Sequence, residues 1–503
     1  MDMVTAQANR EPRRKPVGEH CVAVTLVVRW LGTGILLAAS TLAVAGDWTI
    51  TPRASLSETY TDNVGLAADG TQRDDFVTDA TGGLSVHGSG RRLKLNADYN
   101  LQKLLHQSDA SPDSTRQQWQ VDADAELVDK IAFVNMRTTM SQLNGSNSGR
   151  VSDSAINSGS QTDVLTFALA PSVKHRFGRY AESSFELSYD YVNNDSGTTD
   201  TTTESYGTNT ELRSGSRFSR VPWSLSLSQR TVTNSDESES KFGSIDARTS
   251  YVFSRKYKID FGAGYDRNEF TSQNTQTKGA RWSAGATWSP SPRTTILGGF
   301  ERRFFDNAFF FDLNHKSRRT RWTASYREDI STSRDLQLQR VLVALEDPFG
   351  DSLVDPVSGD PIIIPVNFVV PTDEVLVSRD FSGTAQFSGR RMSASATVFR
   401  SSRTFQATGD QESQLGASVR VSRDMSRHVT ASSSVGWQLT EPRAGAGASV
   451  ADETRWTFDA SMSYVVNDMA SGRLSYRYTK QADDGGISDF AENRLTAALN
   501  LRF

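Results

Sequence analysis

The sequence has 503 residues, of which 37% are hydrophobic, and a formal net charge of -4. This small charge gives no reason to expect nucleic-acid binding, and outside the N-terminal segment no apolar run reaches the roughly 18 residues of a transmembrane helix. The single cysteine, Cys21, excludes a disulfide framework and a thiolate metal site. A mean hydropathy of -0.48 is still compatible with a membrane β-barrel, because its strands keep about half of their side chains polar.

Residues 1–46 have the pattern of a secretory signal peptide. Basic residues between positions 10 and 15 precede an apolar segment at 31–42, and the small residues Ala43, Val44 and Ala45 follow it. The alternatives are an uncleaved anchor helix and a lipoprotein acceptor at Cys21, although residues 17–20 lack the apolar run that an acceptor needs. We predict one barrel domain over residues 47–503, with no plug domain between the leader and the first strand.

From Trp48 onward, apolar and polar residues alternate in blocks of about ten residues. In the block 92–102 the odd positions from Leu93 to Leu101 are apolar or aromatic, and the even positions are polar. Because successive side chains of a strand point to opposite faces, each block predicts a strand with one apolar face. A soluble sandwich shows the same alternation, so the pattern alone does not place lipid on the outside.

The connections between the blocks separate these possibilities. Short links such as 88–91 and 128–130 alternate with long polar links such as 61–76 and 142–162. This order is typical of outer-membrane barrels, which have short periplasmic turns and longer outer loops. We therefore predict an all-β, transmembrane, antiparallel up-and-down β-barrel of about 22 strands in a Gram-negative outer membrane. The break near Asp306 is hardly longer than a turn and is the weakest point of the count.

Aromatic residues fall near the block ends on the apolar phase, for example Tyr60, Trp288 and Trp437. Amphipathic rings favour the headgroup level of a membrane, so they predict interfacial girdles. The alternative is aromatic packing inside a soluble barrel or propeller. A propeller would show a repeated motif every four strands or so, and none is present.

The last block alternates to the final residue. An amphipathic strand that ends in an aromatic residue resembles the signal read by the outer-membrane assembly machinery. The resemblance implies that Leu499, Leu501 and Phe503 form a C-terminal assembly signal, with that machinery as a partner.

One connection, residues 331–375, is much longer than the others. A barrel of about 22 strands is roughly 40 Å wide, and known barrels of this size are plugged. Within this connection, residues 361–371 are too apolar for a free surface loop. We predict an extracellular loop of which part folds into the lumen or packs on the rim.

A catalytic site would need a nucleophile, a base and an orienting group at one place in the lumen. His87, His175, His315 and His428 are predicted at or beside short turns, and His106 in an outer loop. The acidic loops show no ordered calcium-ligand spacing. We therefore expect no enzymatic activity, no cofactor and no metal site.

Charged residues on the polar phase predict a hydrated lumen. The candidate lumen-facing residues are Asp98, Asp122, Asp124, Glu126, Glu186, Asp190, Arg230, Arg248, Arg281, Arg327, Arg473 and Arg477. Such residues either line a substrate path or form cross-strand salt bridges in a wet wall, and the second reading is favoured. Ser and Thr at other lumen positions suit neutral polar solutes such as sugars, and also water.

Residues 52–64, PRASLSETYTDNV, resemble the entry strand of the β-barrel porin family associated with PEP-CTERM and exopolysaccharide loci. The segment 317–322, SRRTRW, is similar to another recurrent feature of that family. The resemblance implies an outer-membrane pore involved in exopolysaccharide export or surface assembly. Its implied partners are outer-membrane lipid, polysaccharide and periplasmic export proteins. A general diffusion or uptake porin and a non-conducting structural or adhesive barrel are the alternatives.

Overall fold

The computed structural model describes residues 46–108, 111–144, 150, 156, 161–195, 200–273, 276–332, 374–443, 451–486 and 489–503. The predicted signal peptide, apart from Gly46, and the apolar stretch 361–371 lie outside these residues. Within the described part, no helix is long and apolar enough to cross a membrane.

The chain forms strands separated by turns and loops. The first eleven are β1 Gly46–Thr61, β2 Asp75–Gly90, β3 Leu93–His106, β4 Ser114–Val128, β5 Ala132–Asn144, β6 Gln161–Phe177, β7 Ala181–Asp195, β8 Asp200–Ser214, β9 Trp223–Asn234, β10 Glu239–Val252 and β11 Tyr257–Glu269. The others are β12 Lys278–Ser291, β13 Thr294–Arg302, β14 Asn307–Lys316, β15 Thr320–Thr332, β16 Val375–Ser388, β17 Met392–Phe405, β18 Gln411–Asp424, β19 Val429–Glu441, β20 Glu453–Asn467, β21 Ala470–Asp483 and β22 Phe490–Arg502. A 3-10 turn, Ser216–Phe218, lies between β8 and β9.

The strands form one closed sheet of 22 strands. Each strand pairs antiparallel with its neighbours in sequence, and β1 also pairs with β22, which closes the barrel. The break near Asp306 is a true connection between β13 and β14. The predicted fold class is therefore confirmed. The long connection is slightly shorter than predicted, because Ser331 and Thr332 still pair with Leu376 and Val375.

The two phases of each strand differ sharply in exposure. In β3, the side chains of Tyr99 and Leu101 are 41% and 42% exposed, whereas Asn100 and Gln102 are 8% and 6% exposed. Asn100 pairs in register with Gly83 of β2 and Gln118 of β4, so each face continues across the sheet. A closed wall with large apolar side chains exposed on its outside has the amphipathicity of a membrane barrel. We call the polar phase the lumen phase.

Aromatic rings on the apolar phase lie at two heights. Near the loop end, Tyr60 contacts Phe76 at 5.0 Å and Trp437 contacts Trp456 at 6.4 Å between ring centroids. On β20, Tyr464 lies eight residues beyond Trp456, toward the turn end. Eight residues rise about 27 Å along a strand, or roughly 20 Å along the axis of a barrel tilted by about 40°, which matches a bilayer band of about 25 Å. The protein is a multi-pass β-barrel of the Gram-negative outer membrane.

The seam between β1 and β22 carries several side-chain hydrogen bonds. Thr61 donates to Glu492 at 2.8 Å, and the Asn493 amide donates to Asp62 at 2.7 Å. Leu499 and Leu501 are on the apolar phase of β22, in register with Leu56 and Ala54. The backbone N–H of Phe503 donates to the Pro52 carbonyl at 3.0 Å. The role of these C-terminal residues in assembly remains a prediction.

Candidate lumen site and outer mouth

All twelve predicted lumen residues lie on the lumen phase of their strands, which follows from the cross-strand register. Among the acidic ones, Asp98 accepts hydrogen bonds from Ser85 and, at 3.1 Å, from Arg53. Asp122 pairs with Arg137, and Asp124 accepts from Asn135. Most of these carboxylates are therefore engaged with neighbouring strands.

The remaining acidic residues lie nearer the turn end or face polar neighbours. Glu126 accepts from the backbone N–H of Lys130 at the turn that follows β4. Glu186 is opposite Ser172 and Asn209 in the register, and Asp190 is opposite Ser205.

The basic candidates are spread around the wall rather than gathered at one place. The Arg230 guanidinium lies 5.0 Å from the ring centroid of Phe242, and Arg477 pairs with Asp459. Arg473 donates to Ser461 at 3.5 Å. Arg248 is opposite Ser224 and Gly262, and Arg327 is opposite Phe310 and Asp380.

Arg281 belongs to a larger group of charges, which we call the ion network and which spans β10 to β15. Arg281 pairs with Asp246, with Asp266 at 3.4 Å and with Glu301 at 3.9 Å. Arg303 pairs with Asp266 at 3.7 Å, Glu301 at 3.9 Å and Asp329 at 2.6 Å. The side chains of Arg281, Arg303 and Asp266 are only 11%, 11% and 4% exposed. The network thus joins five strands of the wall, β10 to β13 and β15, through largely desolvated charges.

The ion network requires a glycine at position 264. A Cβ there would lie 2.5 Å from the Ile245 carbonyl oxygen, 2.6 Å from the Asp246 carboxylate and 3.1 Å from Arg281 Nε. A side chain at position 264 would therefore push β11 away from β10 and disturb the ion pair between Asp246 and Arg281.

We expect Gly264→Ala to lower the free energy of unfolding by about 2 kcal/mol, a typical effect of overpacking. The measurement is urea unfolding of the protein folded in detergent, followed by tryptophan fluorescence. Gly298→Ala is the matched control, because a Cβ at Gly298 meets nothing within 4 Å. Equal midpoints for the two variants would contradict the packing role of Gly264.

One sector of the lumen wall is rich in hydroxyl groups. On the turn-side half of β16 to β19, the lumen phase carries Ser382, Thr384, Ser393, Ser395, Thr397, Ser418, Ser422, Thr430, Ser432 and Ser434. We call this the hydroxyl sector. Its members bond to hydroxyl groups on neighbouring strands, as in Ser432 to Ser461 at 2.8 Å and Ser382 to Ser325 at 2.9 Å. Arg420 and Asp424 are the charged residues that share this part of the wall.

The loop end of the lumen is covered in part by inward-folded loops. Ile156, from the connection between β5 and β6, packs with Val64, Val77 and Leu104. Val77 and Leu104 are on the lumen phase of β2 and β3 and are 0% and 1% exposed. Ile156 therefore reaches the inner face of strands β2 and β3.

A second contact bridges the mouth between the β11–β12 and β17–β18 loops, which are separated around the wall by strands β12 to β17. The backbone N–H of Gln273 donates to the Gln406 carbonyl at 2.8 Å, and its side-chain amide donates to the Thr408 carbonyl at 2.6 Å. Gly409, with φ of +76°, leaves room for the Gln273 side chain.

Arg443, which follows β19, joins the β17–β18 loop to Glu374, the residue before β16. It pairs with Glu374 at 2.8 Å and Asp410 at 2.9 Å, donates to the Thr408 hydroxyl at 2.8 Å, and lies 4.2 Å from the ring centroid of Phe405. The hydrogen bond from Arg443 holds the pKa of Asp410 below its usual value. We call the contacts of Gln273 and Arg443 the mouth latch.

The structure corrects the prediction for His106. It is the last residue of β3 rather than part of an outer loop, and its ring is buried on the lumen phase. Its Nδ1 is 2.9 Å from Asp75, which also accepts from the backbone N–H of Ser108 at 2.8 Å. The prediction also placed Asp75 in a loop, within the connection 61–76. In the structure both strands are longer than predicted, and their register brings the two side chains together.

Among the described residues, no group of three or more His, Cys, Asp or Glu side chains could hold a metal ion. The sequence did not indicate the mouth latch, Ile156 or the partners of Arg281. The mouth-latch residues and Ile156 lie in or beside irregular connections, where no periodicity predicts a direction for the side chain. The partners of Arg281 lie on other strands, and the sequence does not specify the register that brings them to it.

No protein-family model and no curated protein matches the chain. Among solved structures, the open form of the ferric-catecholate import receptor Fiu from Escherichia coli K12 is similar, with 10% identity and a TM-score of 0.51 over 91% of this chain and 81% of that one. The ferric enterobactin receptor PfeA from Pseudomonas aeruginosa (8% identity, TM-score 0.49) and the siderophore receptor PirA from Acinetobacter baumannii (10%, 0.49) each match over 90% of this chain and 80% of their own. At such identities, the likeness to Fiu shows a shared barrel fold.

Proposed function

We propose that the barrel is an outer-membrane pore for polysaccharide export or surface assembly. The observation that supports this best is the hydroxyl sector, which faces a wide hydrated lumen. Hydroxyl groups both donate and accept hydrogen bonds and carry no charge, so they offer many weak and interchangeable contacts to a sugar chain. Transport through a pore requires contacts weak enough for the solute to dissociate from each one and move on. The resemblance of residues 52–64 and 317–322 to the exopolysaccharide-associated barrel family supports the same substrate.

Uptake of a polar solute is the second candidate. The import receptor Fiu has the same barrel fold, and inward-folded loops at the outer mouth would suit a pore that receives its solute from outside. The direction of transport distinguishes the two candidates.

The test compares cells that lack the protein with cells that express it from a plasmid. Under the export proposal, cells without the protein retain polysaccharide in the periplasm and lose it from the surface, and expression restores the surface polymer. Uptake of small sugars should be the same in both strains. Normal surface polymer together with reduced sugar uptake would overturn the export proposal in favour of uptake. Unchanged polymer and unchanged uptake would point to a structural or adhesive barrel.

A further inference from the structure

The short turns carry a strong excess of positive charge, although the whole chain has a net charge of -4. Nine of the ten turn connections contain Arg or Lys, and the two acidic residues in them are Asp129 and Asp468. The basic residues are Arg91, Arg92, Lys130, Arg179, Arg217, Arg220, Arg255, Lys256, Arg293, Arg318, Arg319, Arg390, Arg391 and Arg427. We call this set the basic rim. The loops at the opposite end are acidic, for example at Asp236 and Glu237.

These cations are presented to the surroundings rather than used within the barrel. All fourteen side chains are exposed. Within the described residues, Lys130 pairs with Asp129 at 3.7 Å, and no other member of the rim forms an ion pair. Arg217 instead lies 5.1 Å from the ring centroid of Tyr180 and donates to its hydroxyl at 3.0 Å. Like charges held around one rim repel each other, so the rim favours a negatively charged neighbour.

The same turns also expose apolar side chains beside the cations. Ile131 next to Lys130 is 46% exposed, and Tyr180 next to Arg179 is 57% exposed. Val221, Phe253, Met392 and Met425 have corresponding positions beside Arg220, Arg255, Arg391 and Arg427. A surface that pairs a cation with an apolar or aromatic side chain fits the boundary between headgroups and acyl chains, because the apolar part enters the membrane and the cation reaches the phosphates.

We infer that the basic rim binds anionic phospholipid headgroups of the periplasmic leaflet. Short turns mark the periplasmic side of such a barrel. The rim runs around most of the circumference, from the β2–β3 turn to the β18–β19 turn, as the surrounding lipid does, whereas a docked protein would contact one side. Basic residues at a membrane surface attract anionic lipids, and several together act in concert. This site is independent of what passes through the lumen.

The test uses the full chain refolded in nanodiscs of equimolar phosphatidylcholine and phosphatidylglycerol. After exchange into mild detergent, the retained lipids are quantified by mass spectrometry. We expect phosphatidylglycerol to be retained severalfold over phosphatidylcholine by the wild type. Neutralising two adjacent turns with Arg318→Gln, Arg319→Gln, Arg390→Gln and Arg391→Gln should remove much of this preference.

The matched control neutralises four cations near the loop end, with Lys103→Gln, Lys241→Gln, Arg267→Gln and Lys278→Gln, and should keep the preference. Heat-modifiable migration on gels verifies folding. If the fourfold turn variant does not fold, the pair Arg390→Gln and Arg391→Gln should still lower the preference. Equal retention of the two lipids by the wild type, or the same preference in both fourfold variants, would overturn the inference. Binding of dextran sulfate that depends on the rim, without a lipid preference, would assign it to an anionic polymer instead.

Discussion

Replacing both Gln273 and Arg443 with alanine is expected to raise the average conductance of the refolded barrel severalfold in planar bilayers. Gln273 donates two hydrogen bonds across the mouth, and Arg443 holds Glu374 and Asp410 through charge-assisted bonds. A hydrogen bond to a charged group contributes about 1.5–3 kcal/mol. Losing about 2 kcal/mol of loop attachment changes the ratio of attached to detached loops roughly 30-fold.

The control for this experiment is Arg303→Gln, which removes a cation at the same height that does not contact the mouth latch. Its conductance should stay near that of the wild type. The hydrogen bond from Arg443 lowers the pKa of Asp410. The ion pair is therefore fully formed at any pH above the ordinary aspartate pKa of about 3.9, and it is lost as the pH falls below that value and through the lowered pKa. Wild-type conductance should therefore be constant between about pH 5 and pH 8. An unchanged conductance in the double variant would show that these loops do not limit the pore.

Arg281→Met is expected to lower the free energy of unfolding by about 3 kcal/mol. Arg281 contacts Asp246, Asp266 and Glu301, and its side chain is 11% exposed. Removing one partner of a buried ion pair leaves an uncompensated charge and costs about 3–5 kcal/mol. Because this ion pair faces a hydrated lumen, we expect a loss at the lower end of that range. Urea unfolding in detergent measures the effect.

Arg327→Met is the matched control for Arg281→Met. Arg327 is also on the lumen phase, but its side chain is exposed. Replacing it with methionine should therefore change the free energy of unfolding by less than about 1 kcal/mol. Adding Asp246→Asn to Arg281→Met should recover part of the stability, because the double change removes both charges of one pair. Equal losses for Arg281→Met and Arg327→Met would show that the ion network does not contribute through charge burial.

The sequence by itself determined the barrel. Alternation with a period of two assigned each side chain to one of two faces, and the order of short and long links specified an antiparallel up-and-down sheet. These signals are local, so residues such as Leu93 to Leu101 carry them without reference to the rest of the chain. The break near Asp306 was the weakest point because four residues suffice for either a turn or a loop.

Only the tertiary structure decided which side chains meet. Arg281 was predicted to face the lumen, but its partners Asp246, Asp266 and Glu301 come from three other strands whose register the sequence does not specify. Gln273 and Gln406 meet across the mouth although 133 positions separate them in the sequence. Such contacts depend on closure of the whole sheet and on the inward course of irregular loops. Periodicity carries no information about either, because it describes a strand and its two faces rather than the path between strands.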